Sequence, residues 1–231
     1  MKNIAIILSG GTGTRLGNEV PKQYLEIGGK PIIRYCLEEF AAISTIHAFV
    51  IVVAPAWRNY VEEQLKTLNS TKEFYFVLPG ETRQYSIFNA LQTARQNFSE
   101  KDVVIIHDAA RPLVSQSLIG HCLAGIAEGY DGVLPVLPVK DTIYQSNDRE
   151  HISQLLPRAT LFAGQAPEAF ILGKYLNAHL KMSHAELLQI NGSTELAYRQ
   201  GLKIKLIPGE ERNFKITTLE DLERFKLLIQ Q

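Results

Sequence analysis

Ile4-Ala5-Ile6-Ile7-Leu8-Ser9-Gly10-Gly11-Thr12-Gly13-Thr14-Arg15 is the stretch of sequence that decides the fold. Its apolar first half predicts a short β-strand, and the glycines that follow predict a loop at the carboxyl end of that strand. Open α/β sheets bind their ligands at this end. The apolar run is too short for the hydrophobic region of an export signal. The sequence therefore predicts a first strand that leads directly into a ligand-binding loop.

Strand-like and helix-like segments alternate along much of the remaining chain. The β-branched runs Val50-Ile51-Val52-Val53 and Val103-Val104-Ile105-Ile106 are typical of strands covered on both faces. Strands are predicted at residues 4–8, 50–53, 73–77, 103–106 and 131–137, and helices at residues 31–43, 57–68, 83–97 and 116–128. This order predicts an α/β fold whose mostly parallel sheet carries helices on both faces.

The alternation breaks between residues 138 and 170, where three prolines interrupt two short alternating runs at 139–145 and 158–163. An antiparallel pair needs no crossover helix, so these runs predict a protruding β-arm over residues 138–165, with an ordinary surface loop as the alternative. Thr217-Thr218-Leu219-Glu220 predicts a capped amphipathic helix with a glutamate at its third position. We find no linker or repeat and predict one domain over residues 1–231.

Composition narrows the classes of function. The 231 residues contain 24 Lys and Arg against 24 Asp and Glu, so the formal net charge is zero, which argues against a nucleic-acid partner. No apolar stretch approaches the roughly 20 residues that span a bilayer, so no membrane partner is expected. Cys36 and Cys122 lie among apolar residues and are predicted to be buried, inert thiols in a cytoplasmic protein.

The glycine-rich loop fits neither of two familiar phosphate-binding patterns. A P-loop requires Gly-Lys followed by Ser or Thr, and a dinucleotide fingerprint starting at Gly11 and Gly13 requires a third glycine where Leu16 stands. Glycines nevertheless allow backbone N–H groups to approach a phosphate chain, and Arg15 and Lys22 add two positive charges nearby. A nucleotidyltransferase loop is the interpretation we favour over a purely structural turn.

Six segments resemble, in order, one enzyme family. They are Gly10-Gly11-Thr12-Gly13-Thr14-Arg15 with Pro21-Lys22-Gln23-Tyr24-Leu25, Gly80-Glu81-Thr82-Arg83-Gln84-Tyr85-Ser86, His107-Asp108-Ala109-Ala110-Arg111-Pro112, Val139-Lys140-Asp141-Thr142, Arg158, and Asn213-Phe214-Lys215-Ile216-Thr217-Thr218. The chain is similar in these segments to the cytidylyltransferases that couple CTP to a sugar-alcohol phosphate. The resemblance implies a Rossmann-like sheet of the nucleotide-diphospho-sugar transferase type, Mg²⁺ as cofactor, and a homodimer with exchanged arms.

The resemblance also implies roles for individual residues. The catalytic residues would be Arg15, Lys22 and Lys215; the nucleotide-binding residues Leu8, Ser9, Gly10, Gly11, Gly13, Gly80, Arg83, Ser86 and Asp108; and the substrate-binding residues Thr142, Arg158 and Lys215. Asp108 would also hold the metal. The residues alone leave alternatives: solvated surface charges, capping of a helix by Ser86, and a loop aspartate bonded to local N–H groups.

Different segments of the sequence favour different acceptor substrates. Ser9-Gly10-Gly11 and Gly164-Gln165-Ala166-Pro167 resemble the ribitol 5-phosphate enzymes, whereas the His107 and Val139 segments resemble the 2-C-methyl-D-erythritol 4-phosphate enzymes. Ile190-Asn191-Gly192-Ser193-Thr194-Glu195 departs from the usual methylerythritol pattern. We favour methylerythritol phosphate, with ribitol 5-phosphate as the alternative acceptor. A catalytically silent nucleotide-binding module and a transferase that uses UTP or GTP with a sugar 1-phosphate are also compatible with the sequence.

Overall fold

A computed structural model of the chain describes residues 1–11, 20–68 and 70–230. In these residues an eight-stranded sheet forms the centre of the molecule, with helices on both faces. Two of its strands, residues 162–164 and 168–171, run antiparallel to their neighbours, and the other described pairings in this sheet are parallel. The predicted α/β fold with a mostly parallel sheet is therefore confirmed.

The described strands are β1 (Asn3–Leu8), β2 (Glu26–Ile27), β3 (Lys30–Pro31), β4 (Ile46–Val52), β5 (Glu73–Val77), β6 (Val103–Asp108), β7 (Gly132–Pro138), β8 (Ile143–Gln145), β9 (Gln154–Leu156), β10 (Phe162–Gly164), β11 (Glu168–Ile171) and β12 (Ile204–Pro208). The described α-helices are α1 (Ile32–Ala42), α2 (Arg58–Lys66), α3 (Arg83–Asn97), α4 (Gln116–Ala127), α5 (Leu172–Leu180), α6 (His184–Gln189), α7 (Ser193–Arg199) and α8 (Leu219–Ile229). None of these helices is both long and apolar enough to cross a membrane.

The sheet order places the ends of several strands at one edge. The strands follow the order β10-β7-β11-β6-β1-β4-β5, and β12 pairs with β7. Leu8 at the end of β1 lies in register with Val52 on one side and Asp108 on the other. The loops that leave β1, β4 and β6 therefore start side by side.

Alternate residues of each central strand enter different cores. Ala5 and Ile7 of β1 pack with α1, α2 and α4, whereas Ile4 and Ile6 pack with α3, α5 and α7. Both faces are apolar because helices cover both, which is why these strands read as continuous hydrophobic runs. Cys36 and Cys122 are buried as predicted, and burial raises the pKa of each thiol to about 12.

The segment after β7 differs from the expected pairing. Strand β8 pairs with β9 in a separate two-stranded hairpin, whereas β10, which lies in the predicted second run, pairs with the end of β7 in the main sheet. In the connection between β8 and β9, the carboxylate of Asp148 accepts hydrogen bonds from the backbone N–H groups of Glu150 and His151 and so forms a local turn. The predicted arm, residues 138–165, thus contains a separate β8–β9 hairpin at residues 143–156, and Thr142 and Arg158 flank this hairpin.

The last helix begins one residue later than its sequence suggested. Thr218 is the N-cap of α8, and Asp221 instead of Glu220 completes the capping box. The carboxylate of Asp221 accepts from both Thr217 and Thr218, which draws the start of the helix to Thr218. Leu222 and Phe225 of α8 pack with Ile32 and Ile216 in a third, smaller hydrophobic core.

Candidate active site

The loop after β1 is fixed by the segment that contains Lys22. Gln23 is buried, and its side-chain amide donates hydrogen bonds to the carbonyl oxygens of Ser9 and Gly11 at 2.7 and 2.8 Å. The hydroxyl of Tyr24 donates to the Ser9 carbonyl at 2.9 Å. The Ser9 hydroxyl donates to the Val52 carbonyl, so in this structure it serves the sheet edge. Lys22 precedes Gln23 in the same short helix, and so the loop and Lys22 are held together.

Two predicted nucleotide-binding loops pack directly against each other. A Cβ atom on Gly10 would lie 2.6 Å from Cβ of Pro79, so glycine is needed where the first loop meets the second. A Cβ atom on Gly80 would lie 2.4 Å from Cβ of Tyr85. The Gly80 N–H donates to the Ser86 hydroxyl at 3.0 Å, which itself donates to the Thr82 carbonyl. Ser86 therefore shapes this loop, and the N-cap of α3 is Thr82.

Asp108 ends β6 and binds two cations from distant parts of the chain. Nε of Arg83 lies 2.9 Å from Oδ1 of Asp108, and Nζ of Lys215 lies 2.9 Å from Oδ2. Burial alone would raise the pKa of Asp108, but the charges of Arg83 and Lys215 outweigh burial and hold the pKa well below its usual range. Burial acts to lower the pKa of Arg83, but its acidic partners, Asp108 first, outweigh burial and raise that pKa. The carboxylate of Asp108 and the guanidinium of Arg83 are therefore charged at neutral pH.

Three further side chains, which the sequence did not indicate as site residues, join this cluster: those of Glu168, Ser193 and Thr194. Glu168 begins β11 in register with Ile106, two residues before Asp108 on the same face of the sheet. Its carboxylate accepts a hydrogen bond from the Thr194 hydroxyl at 2.5 Å and lies 3.6 Å from Nη2 of Arg83. Nη1 of Arg83 donates to the Ser193 hydroxyl at 2.6 Å. Arg83 thus ties the start of α7 to the ends of β6 and β11.

The residues beside Asp108 connect it to the loop before α8. Nη1 of Arg111 donates to the carbonyl oxygen of Asn213 at 2.7 Å, and Nε of Arg111 lies 4.0 Å from Oδ2 of Asp108. His107 is fully buried, donates from Nε2 to the Arg111 carbonyl at 2.9 Å, and packs on Phe40. Arg111 and His107 therefore hold the turn after β6 in place.

The other predicted site residues are placed as follows. Leu8, Ser9, Gly10 and Gly11 lie at the end of β1 and in the loop after it, whereas Gly13 and Arg15 fall outside the described residues. Thr142 and Arg158 lie on either side of the β8–β9 hairpin and are exposed. Nη1 of Arg158 donates to the Lys140 carbonyl oxygen at 2.7 Å. The structure of the single chain thus unites Arg83, Asp108 and Lys215 and leaves the two arm residues at its surface.

The carboxylates of the site suit a metal ion that is bound partly by the phosphates of the substrate. Among the residues that the structure describes, no group of three or more His, Cys, Asp or Glu side chains is arranged to hold a metal. Magnesium commonly keeps several waters and takes one or two carboxylates together with substrate phosphates. Asp108 is ionised and lies at the edge of the sheet. It therefore fits a magnesium site in which one protein carboxylate is completed by waters and substrate phosphates.

As a whole, the cluster is suited to binding and aligning anionic groups. The side chains of Arg83, Arg111 and Lys215 place guanidinium and ammonium groups around Asp108, at the edge of the sheet where β1 also ends. Preorganised cations of this kind stabilise charge that develops on transferring phosphoryl groups. The arrangement therefore favours phosphoryl or nucleotidyl transfer.

Comparisons with known proteins agree with this chemistry. The family model described as "IspD: 2-C-methyl-D-erythritol 4-phosphate cytidylyltransferase" matches residues 3–231. A ribitol-5-phosphate cytidylyltransferase of Streptococcus agalactiae serotype V is 33% identical over 229 residues, which cover 99% of this chain and 95% of that protein. A 2-C-methyl-D-erythritol 4-phosphate cytidylyltransferase of Geobacillus kaustophilus is 36% identical over 218 residues, which cover 94% of this chain and 92% of that protein.

The fold has close counterparts among solved structures. The 4-diphosphocytidyl-2C-methyl-D-erythritol synthase of Anaerococcus prevotii superposes with a TM-score of 0.83 at 22% identity, covering 100% of this chain and 96% of that one. At this identity the similarity concerns the fold. The two acceptor names thus occur side by side among relatives of comparable sequence identity.

Proposed function

The chain belongs to the IspD family of cytidylyltransferases, and from this we propose that it couples CTP to 2-C-methyl-D-erythritol 4-phosphate and releases pyrophosphate. The observation that carries the proposal is the convergence of Arg83 and Lys215 on Asp108, beside the loop after β1. The description of the matching family model and the His107 and Val139 segments support this acceptor. As the chain is a nucleotidyltransferase, the alternative of a catalytically silent module is not retained.

The transfer forms one phosphorus–oxygen bond and breaks another. A phosphate oxygen of the acceptor attacks the α-phosphorus of CTP, and the bond from that phosphorus to the oxygen bridging to the β-phosphate breaks. Pyrophosphate leaves with the electron pair, and CDP-methylerythritol remains. This chemistry depends mainly on alignment and on neutralising charge, since both reactants are anions that repel each other.

We assign the chain's own cations to that task. Lys215 orients the acceptor phosphate, and Lys22 and Arg15 stabilise the charge that develops on the α-phosphate. Glycines 10, 11, 13 and 80 let the backbone approach the triphosphate. Arg83 is held between Asp108, Glu168 and Ser193, and so we assign it chiefly to fixing these groups around the nucleotide.

We further propose that Asp108 holds Mg²⁺ shared with the triphosphate, because it is an ionised carboxylate at the carboxyl end of β6, beside the end of β1. When bound, the ion neutralises charge on the phosphates. Lys215 and Arg83 occupy the carboxylate in the structure, so binding of the metal requires that at least one of them turn from Asp108 to the substrate phosphates.

A homodimer with exchanged arms is part of the same proposal. The β8–β9 hairpin and its flanks expose large apolar side chains, including Tyr144, Ile152, Leu155 and Phe162. Apolar groups grouped in this way mark surfaces that bind other proteins. A second copy of the chain would cover them and would receive Thr142 and Arg158 near its own Lys215.

Ribitol 5-phosphate remains the second candidate acceptor, because a relative that this chain matches over 95% of its length carries that name. The test offers purified protein each of the four nucleoside triphosphates, with Mg²⁺, against methylerythritol 4-phosphate, ribitol 5-phosphate and a sugar 1-phosphate. We expect pyrophosphate release with CTP, and a kcat/KM for methylerythritol 4-phosphate at least about 100-fold above that for ribitol 5-phosphate. The reverse preference would move the assignment to CDP-ribitol synthesis, and no release with CTP and either polyol would refute both.

A further inference from the structure

We propose that Gln165 is a positioning residue for Lys215, because its side-chain amide anchors the loop of residues 209–213 that leads to Lys215. The inference rests on the proposed function, since it requires Lys215 to take part in the transfer. Gln165 lies between β10 and β11 and is 6% exposed. It would act without touching either substrate.

The side-chain amide of Gln165 bonds the backbone of Glu210 twice. Nε2 of Gln165 donates to the Glu210 carbonyl oxygen at 3.0 Å, and the Glu210 N–H donates to Oε1 of Gln165 at 3.0 Å. One side chain thus satisfies both backbone groups of one residue, as a neighbouring β-strand would. Two opposed hydrogen bonds fix the position and the orientation of the loop together.

Gly209 allows this close approach. A Cβ atom at position 209 would lie 2.5 Å from Oε1 of Gln165 and 3.2 Å from the Val136 carbonyl oxygen, so any larger residue would push the amide and the loop apart. The Gly209 N–H donates to that same Val136 carbonyl at 2.8 Å. The need for glycine at position 209 is therefore a second observation, besides the two hydrogen bonds, that the loop packs closely against the Gln165 amide.

Asn213, at the end of the anchored loop, connects that loop to Lys215 two residues later. Asn213 is fully buried, and its amide donates to the Ala166 carbonyl oxygen at 2.6 Å. On the other side of Lys215, the Ile216 N–H donates to the Ala110 carbonyl at 2.9 Å. Lys215 thus lies between two fixed residues, and this brings its ammonium to Asp108.

The sharpest test is a double-mutant cycle. Gln165→Met keeps the length of the side chain and removes both hydrogen bonds. We expect kcat to fall about 10-fold in the otherwise native chain, because small displacements of an aligned group cost between one and two orders of magnitude. In a Lys215→Met background the same change should lower kcat no further, because the group being positioned is already missing. Equal losses in both backgrounds would overturn the proposal.

Control variants separate positioning from loss of stability. Gly209→Ala should reproduce the Gln165→Met pattern. Gly173→Ala creates a comparable clash at the opposite edge of the sheet, where a Cβ would lie 2.6 Å from Cβ of Glu100, and should lower the melting temperature while leaving kcat unchanged. If Gln165→Met does not fold, Gln165→Glu replaces it, because it keeps the acceptor for the Glu210 N–H and loses only the donor.

A measurement without turnover distinguishes failure of the proposal from failure of the proposed function. Lysine amines are labelled with acetic anhydride and quantified residue by residue by mass spectrometry. Lys215 should be labelled several-fold faster in Gln165→Met than in the native chain, while the exposed Lys66 is unchanged. An unchanged labelling rate at Lys215 would overturn the positioning role, whichever acceptor the enzyme uses.

Discussion

His107 and His179 are neutral in the folded chain because burial lowers the pKa of each to about 4. Each also donates one ring N–H to a backbone carbonyl, of Arg111 and of Tyr175 respectively, at 2.9 Å. An unfolded histidine has a pKa near 6.5, so between about pH 6.5 and pH 4 the unfolded chain binds more protons than the folded one. Stability therefore falls as the pH drops through this window.

We expect each of these two histidines to lower the free energy of unfolding by about 1 kcal/mol per pH unit between roughly pH 6 and pH 4.5. Urea unfolding at a series of pH values measures the slope. His107→Asn keeps a side-chain donor but cannot titrate, so its dependence should be shallower, although it will be less stable than the native chain at pH 7. Parallel slopes for the two proteins would contradict the assignment to His107.

Some site residues could be predicted from sequence and others could not. Asp108 and Lys215 stand in recognisable segments at the end of a strand and before a helix, and Arg83 begins a predicted helix. Glu168 stands in a segment that carried no clear strand signal, and Ser193 meets Arg83 across 110 positions of sequence. Gln165 was noted only for its motif, because hydrogen bonds to the backbone of a distant loop leave no local pattern.

At the level of elements, length and the periodicity of apolar residues decided which segments could be predicted. Helix α3 and strand β5 have the predicted bounds, 83–97 and 73–77, and the buried parallel strands read as apolar runs. The structure adds α5, α6, α7, β11 and β12, which the sequence did not resolve. Helices α6 and α7 are short, and their exposed residues interrupt the periodicity on which such a prediction depends, whereas β11 is buried but is only four residues long.

The capping box of α8 yields a prediction at this scale. The Thr218 hydroxyl accepts from the Asp221 N–H at 3.2 Å, so Thr218→Ala should lower the free energy of unfolding by about 1 kcal/mol. Thr218→Ser keeps the hydroxyl and should stay within a few tenths of a kcal/mol of the native chain. Thermal or urea unfolding would measure both. Equal losses in the two variants would assign the effect to the methyl group and not to the cap.

At the level of the whole molecule, arm exchange predicts that two defective chains complement each other. Arg158→Ala impairs the arm that a chain would give, and Lys215→Met impairs the site that it keeps. In a mixed dimer, the site of the Arg158→Ala chain retains Lys215 and receives an intact arm. Random pairing of equal amounts should therefore restore about a quarter of native turnover.

The measurement is pyrophosphate release before and after the two variants are unfolded together and refolded. A mixture of Lys215→Met with Asp108→Asn is the control, because both changes affect the site that a chain keeps, and it should recover nothing. If the refolded mixture of Arg158→Ala and Lys215→Met releases pyrophosphate no faster than the two variants alone, Arg158 acts in the active site of its own chain, and the proposed arm exchange is wrong.

The ion pairs of Asp108 have a consequence for how the enzyme binds its reactants. Arg83, Arg111 and Lys215 carry three positive charges, and Asp108 and Glu168 carry two negative charges within the same cluster. From a distance such a group attracts polyanions only weakly, since its field is close to that of one charge. Binding at this cluster is an exchange of ionic partners at contact range. Selection among phosphate esters will therefore rest more on how long each remains bound than on how fast it arrives.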